Sequence, residues 1–84
     1  MYSVQLTIPA QKQLEKLERP VQERILKTLE RIRIRPHSFV KKLVGEPAYR
    51  LRVGDYRVIM DIQNQTLTIL VIKIGHRKNI YDKH

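Results

Sequence analysis

The chain has 84 residues, no cysteine and a formal net charge of +9, with a pI near 10.3. A chain of this length predicts one domain, residues 1–84, that buries only about 60 to 65% of its unfolded surface. The lack of cysteine excludes disulfide frameworks and thiolate metal sites. No apolar run reaches the roughly 20 residues of a membrane span and no signal peptide is visible, so we expect a soluble cytoplasmic protein. The positive charge favours phosphate polyanions as partners.

The first half of the chain predicts one strand and a helical hairpin. A strand that ends at Pro9 is indicated by alternating apolar residues at positions Tyr2, Val4, Leu6 and Ile8. Pro9 and Pro20 each suit the first turn of a helix, and a Glu18-Arg19 link joins the two helices. Pro36 closes the second helix. Apolar residues at helical spacing mark the buried faces: Ala10, Leu14 and Leu17, then Val21, Ile25, Leu26, Leu29 and Ile32.

The second half of the chain predicts strands. Residues 39–44 form a candidate edge strand whose exposed side carries Lys41 and Lys42. Strands at 49–53 and 56–62 flank the two-residue turn Gly54-Asp55, and a last strand at 67–74 is apolar on both faces. The fold class is therefore α+β, with an N-terminal strand, a helical hairpin and three to four mainly antiparallel strands in one sheet. The first and last strands are expected to lie side by side in parallel.

The register of the hairpin follows from its short turn. A two-residue loop places Arg52 opposite Arg57 and Arg50 opposite Ile59. Because side chains alternate between the faces of a strand, the three arginines share one face of the sheet. Like charges directly opposite each other are unfavourable by a few tenths to about 1 kcal/mol. We therefore expect an anion to offset this repulsion.

The rest of this sheet face is expected to be apolar. If Ile62 pairs with Leu67, then Leu70, Ile72 and Ile74 share the face of the arginines. An apolar area of this kind needs a cover, either from the C-terminal segment or from another protein.

The chemistry available to the chain is limited. It has no Gly-rich phosphate loop, no metal-ligand spacing and scattered acids, which argues against a two-metal nuclease and predicts no metal and no cofactor. Arginine, lysine, tyrosine and histidine can cleave RNA without metal. Arginines neutralise charge that develops on the phosphate, while a proton-transfer group assists attack by the ribose 2′-hydroxyl. The products would be a cyclic phosphate and a free 5′-hydroxyl.

Two motifs in this region, YRLRVGDYRVIM and IGHRKNIY, resemble the signature of the RelE toxins in the RelE/ParE superfamily of toxin-antitoxin modules. The resemblance covers nearly the whole chain and is more specific for the superfamily than for the activity. It implies an RNA-binding toxin and endoribonuclease (an mRNA interferase) that cleaves messenger RNA in the ribosomal A site without metal and so inhibits translation. It also implies a cognate acidic, RelB-like antitoxin, which fits the charge of +9 and the half-apolar arginine face.

The resemblance also implies roles for individual residues. Arg50 and Arg52 match the basic pair before the turn, and Arg57 matches the phosphate-binding arginine after it. Arg77 matches the arginine that follows the last strand, and Tyr81 matches the tyrosine that stacks on the substrate base.

The group that transfers protons is less well defined. Well-studied relatives carry lysines in place of Arg50 and Arg52, and arginine is a poor general base at neutral pH. His76 directly precedes Arg77, and histidine can move a proton near neutral pH, so His76 is a candidate acid or base.

Each candidate residue also has a structural alternative. Arg50 and Arg52 can belong to a solvated edge, and Arg57 can form an ion pair with Asp61. Tyr81 can pack on Ile74 or Ile80, and His76 can be a bystander beside the glycine turn.

Two other functions stay open. One is a ParE-like toxin that inhibits a DNA topoisomerase without nuclease activity. The other is a basic, non-catalytic RNA-binding relative.

Overall fold

The structure is a computed structural model, and it describes residues 1–78 as two helices packed on one face of a five-stranded sheet. In chain order the elements are β1 (Ser3–Leu6), α1 (Ile8–Glu15), α2 (Arg19–Arg31), a 3₁₀ turn (Pro36–Ser38), β2 (Lys41–Lys42), β3 (Tyr49–Val53), β4 (Tyr56–Gln63) and β5 (Thr68–His76). The strand order is β1-β5-β4-β3-β2, with β1 parallel to β5 and the other pairs antiparallel. This confirms the predicted α+β fold and the parallel contact of the first and last strands.

Pro9 and Pro20 lie in the first turns of their helices as predicted, and each helix begins one residue before its proline. Thr7 caps α1 by accepting a hydrogen bond from the Ala10 amide at 3.2 Å, so Ile8 lies exposed in the first turn rather than in the strand. Between the helices, the Gln22 side-chain amide donates to the Leu17 carbonyl at 2.7 Å. α1 ends at Glu15 and α2 starts at Arg19, so the link between the helices is residues 16–18 and not the predicted Glu18-Arg19.

The main core lies between the helices and the sheet. Its buried residues are Ala10, Leu14, Ile25, Leu29, Ile32, Leu51, Val53, Val58, Met60, Ile62, Ile69, Val71 and Ile74. Leu26 stays 46% exposed and lies outside the buried stripe of α2. Because α1 and α2 are short, this burial rather than intrinsic helix propensity holds them in place. Neither helix in residues 1–78 is long and apolar enough to cross a membrane.

The edge strand β2 is shorter than the predicted span of 39–44. Its two residues pair with β3, Lys41 with Arg50 and Lys42 with Tyr49. On the face away from the helices, Leu43 is buried against Ile59. Val40, on the other side of β2, packs against the main core, so the segment around β2 contributes apolar residues to both faces of the sheet.

The pairing of β4 with β5 contains a β-bulge. Ile59 pairs with Lys73 and Met60 pairs with Val71, so Ile72 is an extra residue on β5. Beyond a bulge of this kind, the side chains of the strand change face.

The bulge corrects one prediction about the arginine face. Leu70 pairs with Asp61 and stays on that face, and Ile72 is 37% exposed on the same side. Ile74 is instead 3% exposed in the main core. The amide of Ile74 donates a hydrogen bond to the Gln13 side-chain oxygen at 2.8 Å. Helix α1 therefore supplies the hydrogen-bond acceptor for this part of β5, which extends beyond the end of β1.

The β3–β4 turn has the predicted two residues. Gly54 has a φ of +58° and Asp55 has no positive φ, a combination that fits a type II′ turn. The register is confirmed, with Arg52 opposite Arg57 and Arg50 opposite Ile59. A Cβ atom on Gly54 would lie 3.0 Å from Nη1 of Arg24 in α2.

We predict that Gly54→Ala lowers the free energy of unfolding by at least about 1 kcal/mol, because an L-residue is strained at this positive φ. Urea unfolding measures the loss. The guanidinium of Arg24 is the end of a flexible side chain and can move aside, so the loss should be the same in an Arg24→Ala background. A loss that disappears in that background would contradict the backbone explanation.

Candidate functional site

A depression of about 150 Å³ lies on the sheet face opposite the helices, and we call it the cationic depression. Residues from β2, β3, β4 and the segment before β2 line it: Phe39, Lys41, Arg50, Arg52 and Arg57. Four of these five side chains are cations.

The strand register explains why the cations converge. Lys41 lies directly opposite Arg50, and Arg52 lies directly opposite Arg57. Each like-charged pair is unfavourable by a few tenths to about 1 kcal/mol. Four positive charges from adjacent strands favour an anion with several charged oxygens.

The size and donors of the depression suit a phosphate group. At about 150 Å³ the depression has room for a small anion such as a phosphate group. A guanidinium presents several N–H donors in one plane and binds phosphate in bidentate fashion. Arg50 and Arg57 are partly buried and Arg52 is exposed, so the site is open to a large ligand. Chemically, this arrangement can hold a phosphodiester and stabilise negative charge that develops on it.

The structural alternative for Arg57, an ion pair with Asp61, is not favoured by the geometry. Four strand residues separate the two positions by about 13 Å along β4. Asp61 accepts a hydrogen bond from the Gln63 side-chain amide at 3.1 Å, whereas Arg57 lines the cationic depression.

His76 lies on the other face of the sheet from the arginines. It pairs with Tyr56, which packs against the main core, and their rings meet edge to face with centroids 5.3 Å apart. Its Nδ1 accepts a hydrogen bond from the Lys78 amide at 3.2 Å. The structure therefore does not bring His76 together with the predicted arginine cluster.

Arg77 lies beside the β3–β4 turn. Its amide donates to the Asp55 carbonyl at 2.8 Å, and its side chain is exposed. Within residues 1–78 it is not among the residues that line the cationic depression. Tyr81 lies outside the described residues.

Two residues of the depression, Phe39 and Lys41, were not among the predicted site residues. In the sequence, Lys41 is recognisable only as a charge on a candidate edge strand. The signal that identifies it is the pairing of β2 with β3, which places Lys41 opposite Arg50.

The fold is that of the RelE toxins. The RelBE2 toxin-antitoxin complex from Mycobacterium tuberculosis matches with a TM-score of 0.84 at 24% identity, over 90% of this chain and 98% of that chain, which shows the fold alone. The intact Escherichia coli RelBE complex matches with a TM-score of 0.77 at 27% identity, over 90% and 96% of the two chains. The archaeal RelE-RelB complex from Pyrococcus horikoshii OT3 matches with a TM-score of 0.78 at 29% identity, over 94% and 98%.

The family is shown by the sequence itself. Residues 4–81 match the family of the ParE toxin of type II toxin-antitoxin system, parDE. This match spans most of the chain, so the protein belongs to the ParE toxin family within the RelE/ParE superfamily. Comparison with curated protein sequences gives no match.

We predict that Arg52→Gln raises the free energy of unfolding by a few tenths to about 1 kcal/mol at low salt, because it removes the repulsion from Arg57. The gain should shrink in 1 M salt, where charges are screened beyond about 3 Å. Chemical denaturation at two salt concentrations measures it.

The matched control for this prediction is Arg19→Gln on α2. Arg19 forms an exposed ion pair with Glu23 at 3.7 Å, so its loss should lower stability by at most about 0.5 kcal/mol. If Arg52→Gln destabilises the protein as well, the repulsion is not present.

Proposed function

We propose that this toxin is a metal-independent endoribonuclease that cleaves messenger RNA in the ribosomal A site. The observation that carries the proposal is the convergence of Arg50, Arg52 and Arg57, together with Lys41, on one open depression of phosphate size. The similarity of the fold to RelE toxins at 27 to 29% identity supports it.

In the proposed reaction the scissile phosphate occupies the cationic depression. The ribose 2′-hydroxyl loses its proton as its oxygen attacks the neighbouring phosphorus. The bond between phosphorus and the 5′-oxygen then breaks, and the 5′-oxygen takes up a proton. The products are a 2′,3′-cyclic phosphate and a 5′-hydroxyl. The guanidiniums of Arg50, Arg52 and Arg57 stabilise the negative charge that grows on the phosphate oxygens in the transition state.

The other predicted residues keep proposed roles around this centre. Arg77, beside the turn, is proposed to contact a phosphate next to the scissile one, and Tyr81 is proposed to stack on a base. Proton transfer by His76 also stays a prediction. Because His76 packs on Tyr56 across the sheet, that role requires the RNA to reach around the end of β5.

We predict that the wild-type protein cuts a defined message within the A-site codon of programmed ribosomes and that Arg57→Ala lowers the cleavage rate by about 10²- to 10³-fold. Primer extension maps the cut, and a single-turnover time course gives the rate. Arg19→Ala, which removes an exposed arginine on α2, should cleave within about twofold of wild type. The proposal fails if the wild type does not cleave at any divalent ion concentration, or if Arg57→Ala cleaves at the wild-type rate.

A second candidate function is inhibition of a DNA topoisomerase, as for a ParE toxin. The observation that favours it is the family match, whose description is that of a ParE toxin. In this case the toxin acts by binding, and the arginine cluster contributes little. Inhibition of supercoiling that survives both Arg57→Ala and Arg77→Ala would favour this function. Binding of RNA without cleavage in the ribosome assay would identify a non-catalytic relative.

The proposed partner is an acidic, RelB-like antitoxin. The similar structures from E. coli and P. horikoshii are toxin-antitoxin complexes. Next to the cationic depression, a groove of about 310 Å³ on the same sheet face is lined by Glu46, Pro47, Ala48, Ile59, Ile72 and Lys73. An amphipathic antitoxin segment can cover this apolar groove while its acidic residues face the arginines.

We predict that Ile72→Asp weakens antitoxin binding at least about tenfold, because it replaces buried apolar contact with a carboxylate that repels an acidic partner. Isothermal titration with the product of the adjacent gene measures the affinity. Leu26→Asp, which changes an exposed apolar residue on α2, is the control and should bind as wild type does. Equal affinities for wild type and Ile72→Asp would place the antitoxin elsewhere.

A further inference from the structure

Phe39 differs from the other aromatic residues between positions 1 and 78. Tyr2, Tyr49 and Tyr56 all pack against the main core, whereas Phe39 belongs to neither apolar cluster of the described residues. Its side chain is 50% exposed and lines the cationic depression. An aromatic face is therefore present beside four cations.

The backbone holds Phe39 in this place. The Phe39 amide donates to the Pro36 carbonyl at 3.1 Å, which closes the 3₁₀ turn, and Pro36 itself is buried. The next residue, Val40, packs against the main core, and Lys41 pairs with Arg50. Contacts on both sides of Phe39 therefore fix the backbone that carries its ring.

We propose that Phe39 is a stacking platform for a nucleobase of single-stranded RNA, next to the phosphate bound in the cationic depression. This inference rests on the proposed function and adds a binding residue to it. Cations along the backbone path combined with an aromatic face are the usual means of binding single-stranded nucleic acid. The RNA must be single-stranded, because only an unstacked base offers its face to a side chain.

The strand order gives the stacked base a position. Phe39 precedes β2 and Arg77 follows β5, and these two strands flank the hairpin on opposite sides. We therefore place the stacked base on the β2 side of the bound phosphate, where Phe39 lines the cationic depression.

An exposed apolar side chain alone would not support this proposal. Ile34 is more exposed than Phe39, and single exposed apolar residues are common on protein surfaces. Phe39 is distinguished by its aromatic ring and by its place among the residues that line the cationic depression. Ile34 therefore provides a control position.

The test measures binding of a short single-stranded 2′-O-methyl RNA, which lacks the 2′-hydroxyl needed for cleavage. A second oligomer has the same length and backbone but no bases. Phe39→Leu should weaken binding of the first oligomer at least about fivefold and leave binding of the second unchanged. Ile34→Ala should bind both oligomers as wild type does.

Phe39→Trp gives a direct signal, because the chain contains no tryptophan. This variant should keep wild-type affinity, and its fluorescence should be quenched by the oligomer with bases and not by the one without. The proposal is overturned if wild type does not bind the first oligomer, if Phe39→Leu binds it as wild type does, or if the tryptophan signal stays unchanged on binding. It is also overturned if Phe39→Leu weakens binding of the antitoxin and leaves binding of both oligomers unchanged.

These outcomes are independent of the ribosome assay. Phe39-dependent binding without cleavage of ribosome-bound message would overturn the nuclease and keep the stacking site. Cleavage by wild type together with wild-type RNA binding by Phe39→Leu would overturn the stacking site and keep the nuclease.

Discussion

The register of the β3–β4 hairpin is the constraint on which both the core and the candidate site depend. In this register Leu51 and Met60 face the helices and are buried, while Arg52 and Arg57 meet on the opposite face. A slip by one residue would exchange the two faces and drive the arginines into the core. The packing of the core thus enforces the convergence of charge, even though that convergence is unfavourable by itself.

The magnitudes show that the core can hold this arrangement. Two like-charged cross-strand pairs cost at most about 2 kcal/mol together. Burial of one leucine or methionine side chain contributes about 1.5 to 3 kcal/mol. Burial of Leu51 and Met60 therefore outweighs the cross-strand repulsion, and the register of the hairpin is maintained. This explains how a chain of 84 residues maintains the cationic depression on a thin core.

Much of the fold was predictable because its signals are local. Period-two alternation and a two-residue turn identified the hairpin and its register, and the prolines with helical spacing identified both helices. The bulge at Ile72 was not predictable, since its neighbour Ile74 is held by Gln13, 61 residues away in the sequence. The bulge turns His76 as well as Ile74 to the helix face, so a count of alternating residues along β5 places both on the wrong side. Phe39 and Lys41 were missed for another reason, because a strand of two residues is too short to show periodicity.

In the proposed reaction the cationic depression promotes attack of a 2′-hydroxyl on its own phosphate. The chemical ends of the cleaved message distinguish this reaction from hydrolysis by water. Mass spectrometry of the fragments released on programmed ribosomes should find a 2′,3′-cyclic phosphate on the upstream fragment and a 5′-hydroxyl on the downstream one. A 3′-hydroxyl paired with a 5′-phosphate, or a message left intact, would contradict the account.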